Sequence, residues 1–283
     1  PITGMTFTED AELNQLGYGQ EYQIKYTLEP VDATASLLTW TSDNPEVISV
    51  DKTGKLKVHT TKTASAVITA SYGPVVQNVT VTVADGRFWY SLGNGLGNGL
   101  DNNWYLDGNN ASVVSSDGNK TTVQMGSGYR GDLWLARSGK GKIVNVTPAD
   151  YRYFAIKVGF KSQLVPGKNK PNGCIKLEIF DDGIKKIGPE YFGTGGDANN
   201  RYEILGASEI STTEPNVLYY DLQSKYKTVT PTDWNQVFDL VQCKFVIADF
   251  PETAQTYDLY WIRSFKSIEE LQAFVDSENN TNE

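Results

Sequence analysis

Residues 151–160 read YRYFAIKVGF, and their pattern decides the fold. Phe154, Ile156, Val158 and Phe160 fall on one face, while Tyr151, Tyr153 and Lys157 fall on the other. A period of two is the mark of a strand with one buried side. The phenylalanine face is therefore expected in a core, and the tyrosine face is a candidate surface for a ligand.

The same alternation repeats outward in both directions. It recurs at 132–137, at Ile175, Leu177 and Ile179, and again at 217–222, 243–248 and 257–265. Asp181-Asp182-Gly183 predicts a hairpin turn returning through 184–187. Ser267-Ile-Glu-Glu270 is a capping box, and Ile268, Leu271 and Phe274 or Val275 line one side of a short helix before an Asn-rich tail expected to fray. No strand–helix alternation occurs between 85 and 266. The region 85–283 is therefore expected to be an antiparallel jelly-roll sandwich of two sheets with a short C-terminal helix.

Residues 1–84 are also all-β in pattern, but shorter in stride. Tyr22, Ile24, Tyr26 and Leu28 alternate up to Pro30. Leu38 to Thr41 lead through Ser42-Asp43-Asn44-Pro45 into Val47-Ile48-Ser49-Val50, a strand, a turn and a strand. Asp51-Lys52-Thr53-Gly54 supplies a hairpin loop, and strands at 67–70 and 79–83 complete a small sandwich. The wording from Leu28-Glu29-Pro30 through Trp40-Thr-Ser-Asp-Asn-Pro45, Val47-Ile-Ser-Val-Asp51, Gly54-Lys-Leu56 and Ala66-Val-Ile-Thr-Ala70 strongly resembles the bacterial group-2 immunoglobulin-like domain. That resemblance implies a spacer or stalk domain over 1–84, with Trp40 in the core. Asp85-Gly86 marks the expected junction.

The close of the chain, Tyr257-Asp-Leu-Tyr-Trp-Ile-Arg-Ser-Phe265 followed by the helix, is similar to the end of β-sandwich carbohydrate-binding modules in Bacteroidetes surface glycan-binding lipoproteins. The resemblance implies a glycan-binding sandwich over 85–283, exported to the outer-membrane cell surface. A lipid anchor and a role in glycan utilisation would go with it.

Composition narrows the partners. The 283 residues carry 25 Lys and Arg against 34 Asp and Glu, a net charge of −9. That disfavours nucleic acid and anionic membrane surfaces, which require clustered cations. A neutral ligand fits better. Cys174 and Cys243 are the only cysteines, so one bridge at most is available. No apolar run is long enough to span a bilayer. Nothing in the pattern demands an oligomer, and a monomer is expected.

The segment 88–110 reads FWYSLGNGLGNGLDNNWYLDGNN. This density of Gly and Asn predicts a shaped loop with aromatic rims. Its glycines are spaced GxGxGxG without GK[ST], which does not match a phosphate loop. Rings that stack on the apolar faces of sugars, with polar groups for the hydroxyls, are the natural equipment for glycan binding. The candidate carbohydrate-binding residues are Trp104, Tyr105, Asp107, Tyr129, Arg130, Trp134, Tyr153 and Tyr191. Trp134 lies between Leu133 and Leu135, so inward leucines would turn the indole outward.

Hydrolytic chemistry finds little support. The single histidine, His59, closes a strand of the spacer region, so no Ser-His-Asp or Cys-His set can form in 85–283. Glu178-Ile-Phe-Asp181-Asp182 lacks the Glu-x-Asp-x-x-Glu spacing of laminarinase-like jelly rolls, and a hairpin accounts for it. No cofactor is required. Asp101, Asp107 and the Asn side chains leave room for a structural calcium, though no EF-hand loop is present. The expectation is a non-catalytic protein that binds a polysaccharide or oligosaccharide at the bacterial cell surface. The alternatives are a structural or adhesion protein with a protein partner, and a glycoside hydrolase or lyase.

Overall fold

The computed structural model describes residues 1–97, 104–107, 110–127, 131–136, 144–164, 175–181, 190–192, 202–223, 233–247 and 255–281. The chain divides into two compact units, Pro1–Tyr90 and Ser91–Glu283.

The first unit is built from β1 (Gly4–Phe7), β2 (Leu16–Tyr18), β3 (Glu21–Gln23), β4 (Tyr26–Glu29), β5 (Thr39–Ser42), β6 (Ile48–Val50), β7 (Lys55–Val58), β8 (Ser65–Tyr72) and β9 (Val75–Ser91). β1 pairs with β4, β7 lies between β3 and β6, and β8 lies between β5 and β9, all antiparallel. β2 runs parallel to β9. The alternation from Tyr22 to Leu28, expected as one strand, is divided between β3 and β4, which join different sheets. The break falls where buried Ile24 donates its amide to Gly54 and Thr8 donates to the Lys25 carbonyl. β9 passes through Asp85-Gly86 without interruption, with Gly86 at a φ of +67°.

Trp40 sits in the core of this unit. Its ring stacks on Phe7 with centroids 5.7 Å apart and packs on Tyr26 at 5.5 Å. Gly54 closes the β6–β7 hairpin at a φ of +82°, and a Cβ there would lie 2.7 Å from the Trp40 ring. The turn residue and the core indole thus constrain each other: only a glycine fits both the backbone angle and the space. His59 is half-buried, and its Nε2 shares a hydrogen bond with Ser49 Oγ at 2.7 Å.

The second unit is a β-sandwich. Its strands are β10 (Tyr105–Asp107), β11 (Ser112–Ser116), β12 (Thr121–Gln124), β13 (Gly131–Ala136), β14 (Val144–Val146), β15 (Tyr153–Phe160), β16 (Lys176–Asp181), β17 (Glu190–Phe192), β18 (Glu203–Ile204), β19 (Asn216–Asp221), β20 (Phe238–Ile247) and β21 (Thr256–Phe265). One sheet runs β10-β13-β20-β16-β17, with β14 also on β20. In the other, β11 pairs with β12, β12 with β21, β21 with β15, β15 with β19 and β19 with β18. All these pairs are antiparallel. The return at 184–187 lies outside the described residues; the described partner of β16 is β17.

Alternation builds the core between the sheets. Phe154, Ile156, Val158 and Phe160 are buried, as the period of two requires. Leu133, Leu135, Leu177, Ile179 and Phe245 of the other sheet are buried as well, and Phe245 packs on Phe154. Phe245 is the hub: its ring lies 5.6 Å from Trp104, 5.9 Å from Phe154 and 5.8 Å from Tyr220. Cys243, two positions away on the same strand face, is a free and fully buried thiol. Burial alone pushes its pKa well above the ordinary thiol range. Cys174 lies outside the described residues.

A helix, α1 (Ile268–Thr281), follows β21. Ser267 Oγ accepts from the Glu270 amide at 3.1 Å, while the Glu270 carboxylate accepts from the Lys266 amide at 2.6 Å, a capping box displaced by one residue on its return bond. Leu271 is buried, and Phe274 packs against Trp261 and Phe265. The helix continues through Asn279 and Asn280, where the Asn-rich sequence predicts fraying. The reason is tertiary: the Glu278 carboxylate accepts from the Trp261 indole at 3.1 and 3.2 Å and from Lys157 Nζ at 3.1 Å. A contact in the last turns overrides weak local propensity.

The first half of the Gly-Asn repeat is a fitted segment rather than an open loop. Gly118 donates its amide to the Gly93 carbonyl, Gly95 donates to Thr121 Oγ1, and the Thr121 hydroxyl donates to the Leu92 carbonyl. A Cβ at Gly93 would stand 2.2 Å from the Gly118 carbonyl oxygen. The glycines here permit backbone to lie on backbone. Residues 98–103 fall outside the described set.

Candidate functional site

The outer face of the β10-β13-β20-β16-β17 sheet carries residues that a solvated face has no need of. Its pairing register aligns one row across the strands. Tyr105 lies opposite Trp134, Trp134 opposite Lys244, Lys244 opposite Glu178, and Glu178 opposite Tyr191. In the adjoining row Asp107 lies opposite Asp132. Because alternate residues share a face, the inward-facing Leu133, Phe245 and Leu177 require Trp134, Lys244 and Glu178 to point away from the core.

Lys244 organises this face. Its ammonium stands 3.1 Å from Asp132 Oδ2, 3.1 Å from Glu178 Oε2 and 4.4 Å from the centroid of the Trp134 ring. Gln242 donates its side-chain amide to Glu178 Oε2 at 3.3 Å. The row is also nearly dry: Tyr105 is 4%, Glu178 5%, Asp132 6% and Lys244 and Trp134 each 7% exposed. Buried charges persist only when paired and hydrogen-bonded, and here one cation answers two carboxylates over an aromatic floor.

The predicted site residues separate into four groups. Tyr105, Asp107 and Trp134 come together on this face, and the pairing of β16 with β17 sets Tyr191 in the same row, although its side chain lies outside the described residues. Tyr129 and Arg130, immediately before β13, also lie outside them. Trp104 is a core residue: it is wholly buried against Phe245, because it has the opposite strand parity to Tyr105. Its ring is part of the interior packing and offers no stacking platform. Tyr153 is half-buried on the outer face of the other sheet, edge-on to Tyr219 at 6.1 Å and beside Arg152, which forms a bidentate pair with Asp221 at 2.7 Å.

Lys244, Asp132 and Gln242 escape a reading based on aromatics. For Gln242 and Lys244 the signal is parity alone: they fall at alternate positions among the apolar residues of 240–247, a pattern that also describes a solvated face. Among the described residues, no group of three or more His, Cys, Asp or Glu side chains is placed to hold a metal ion. Nor is any helix among them long and apolar enough to cross a membrane.

Fold and face together define an all-β protein whose larger unit is an antiparallel β-sandwich with a recessed row of aromatic and charged side chains. The chain belongs to the family described as domain of unknown function (DUF4979), which matches residues 95–271. No curated protein matches the sequence. Among solved structures, one described as the structural basis for the promiscuous specificity of carbohydrate-binding modules of the β-sandwich superfamily is 11% identical with a TM-score of 0.30, covering 93% of this chain and 97% of its own. A crystal structure with a xylogluco-oligosaccharide is 10% identical with a TM-score of 0.29, covering 93% and 58%. The CBM51-2 and INT domains of Clostridium perfringens ZmpB are 11% identical with a TM-score of 0.21, covering 81% and 40%.

Proposed function

We propose that this protein binds a polysaccharide or oligosaccharide without cleaving it, using the outer face of the β10-β13-β20-β16-β17 sheet. The observation that carries the reading is Lys244 held over Trp134 between Asp132 and Glu178. The Trp134 ring fixes the ammonium beneath the face, and the carboxylate, ammonium and amide groups held there are the hydrogen-bonding partners that sugar hydroxyls require. In the same reading residues 1–84 form a group-2 immunoglobulin-like spacer. The protein is monomeric and stands at the bacterial cell surface on a lipid anchor.

Affinity electrophoresis against plant, fungal and host polysaccharides tests this directly. Retardation by at least one glycan, lost in Trp134→Ala, is expected; absence of retardation by the whole panel rejects the reading. Release of reducing sugar from a retarding glycan would turn the assignment toward a glycosidase. A second reading, adhesion to a protein partner, draws on β11, whose exposed Val113 and Val114 carry no charge. It gains if no glycan binds.

A further inference from the structure

We infer that the first unit holds a site of its own for a neutral saccharide, in a cleft between β9 and the 3-10 turn Ala11–Asn14 that follows β1. The cleft measures about 490 Å³, and every residue lining it belongs to Pro1–Tyr90. That volume falls within the range of about 300–1,000 Å³ usual for small-ligand sites.

Strand parity marks the cleft as more than a surface dent. Val75, Val79, Val81 and Val83 form the core-facing row of β9, with Val81 and Val83 wholly buried. Gln77 stands in that same row, half-buried and lining the cleft. A polar side chain turned inward on a strand needs hydrogen-bond partners. Among the described residues nothing bonds the side-chain amide of Gln77, nor those of Asn14 and Asn78 on the exposed rim. Phe7 and Leu13 add apolar lining, and Phe7 is fixed by its stack on Trp40.

The lining selects the ligand. A primary amide both donates and accepts, as a sugar hydroxyl does, and a sugar ring presents C–H faces to apolar side chains. The carboxylates of Glu9 and Asp10 disfavour an anion. Asp10 does not call for a cation either: it accepts from Tyr22 at 2.6 Å and from the Glu12 amide at 2.9 Å, with Lys25 3.7 Å away. A peptide added as a strand fits less well, because the wall opposite β9 is a turn and offers no ladder.

The test titrates the full chain with cellotetraose, xylotetraose, mannotetraose, laminaritetraose, maltotetraose and an uncharged Ser/Thr decapeptide, while NMR follows its side-chain amides. We expect at least one oligosaccharide to shift the NH2 signals of Asn14, Gln77 and Asn78 to saturation. Affinity should fall at least tenfold in Gln77→Leu, which completes the apolar row and whose fold is checked by circular dichroism. Shifts of these signals by the peptide alone, or by nothing in the panel, overturn the inference, as does a folded Gln77→Leu that binds like the wild type. Saccharide shifts confined to the second unit overturn it too, while leaving glycan binding by the outer row standing. Shifts confined to the first unit uphold it and remove the outer-row reading instead.

Discussion

Trp134 and Lys244 are direct cross-strand neighbours on β13 and β20, and the ammonium lies 4.4 Å from the indole centroid. A cation over an aromatic face is stabilised more strongly when water is excluded, and both residues are 7% exposed. The pair therefore contributes to stability, and the ring is the floor that fixes the buried charge in place.

The two tryptophans should separate by phenotype. Trp104→Ala opens a cavity beside Phe245 and is expected to cost about 3–5 kcal/mol, measured by urea denaturation. Trp134→Ala is expected to weaken glycan affinity at least tenfold in isothermal titration. A Trp104→Ala protein of wild-type stability would show that the ring is not a core element.

Lys244→Met leaves Asp132 and Glu178 buried without their shared cation. A loss of about 3–5 kcal/mol follows from removing one partner of a buried ion cluster. The triple variant with Asp132→Asn and Glu178→Gln should recover most of it, because the two carboxylates that Lys244 bridges are then neutral. Denaturation midpoints of the two proteins check the difference.

Asp258 predicts an acid-sensitive contribution on the other sheet. Burial raises its pKa, but bonds from Lys120 at 2.8 Å, Thr122 at 2.7 Å and Lys161 at 3.1 Å outweigh burial and hold the carboxyl below the ordinary aspartate value. A pKa lower in the folded than in the unfolded state stabilises at pH values above the unfolded value of about 3.9 and loses that effect as pH falls through the folded value. Asp258→Asn should thus be less stable than wild type at neutral pH, and the gap should close in the acid range. Denaturation curves across pH measure it.

Gly93→Ala should destabilise the segment ahead of β11, since a methyl would fall 2.2 Å from the Gly118 carbonyl oxygen. The atoms it would meet, in Gly118 and Asn119, are all backbone, so the clash cannot be relieved by a rotamer change. Faster amide exchange at Gly95 and Gly118 in the variant is the expected result.

Glu278→Ala removes the acceptor for both the Trp261 indole and Lys157. The last turns of α1 should then behave as their Asn-rich sequence suggests and unwind. Reduced amide protection from Ser277 onward, with the first turns unchanged, is expected because Ser267 and Leu271 still anchor the start.

What could be read from the sequence was parity. The alternation at 151–160 placed Phe154, Ile156, Val158 and Phe160 in the core, and leucines on either side of Trp134 turned it to the opposite face from Leu133 and Leu135. Parity applied to Trp104 would have warned against it as well, but β10 is only three residues long, too short to reveal a period beside a run of Gly and Asn. The partnership of Asp132, Lys244 and Glu178 is illegible in the sequence, because they lie more than forty residues from one another in the chain and meet through strand register. Fraying is expected of the Asn-rich tail since propensity is local, whereas Glu278 is held by residues from β15 and β21.

Cys243 gives the sandwich an internal clock. Its thiol lies on the inward side of β20, adjacent in sequence to Lys244 yet facing the opposite way, and burial keeps it in the unreactive protonated form. Alkylation at this one position, read from the mass of its peptide, therefore counts openings of the central strand. Any ligand that closes over the outer row would slow that count from the far side of the sheet, without touching the sulfur.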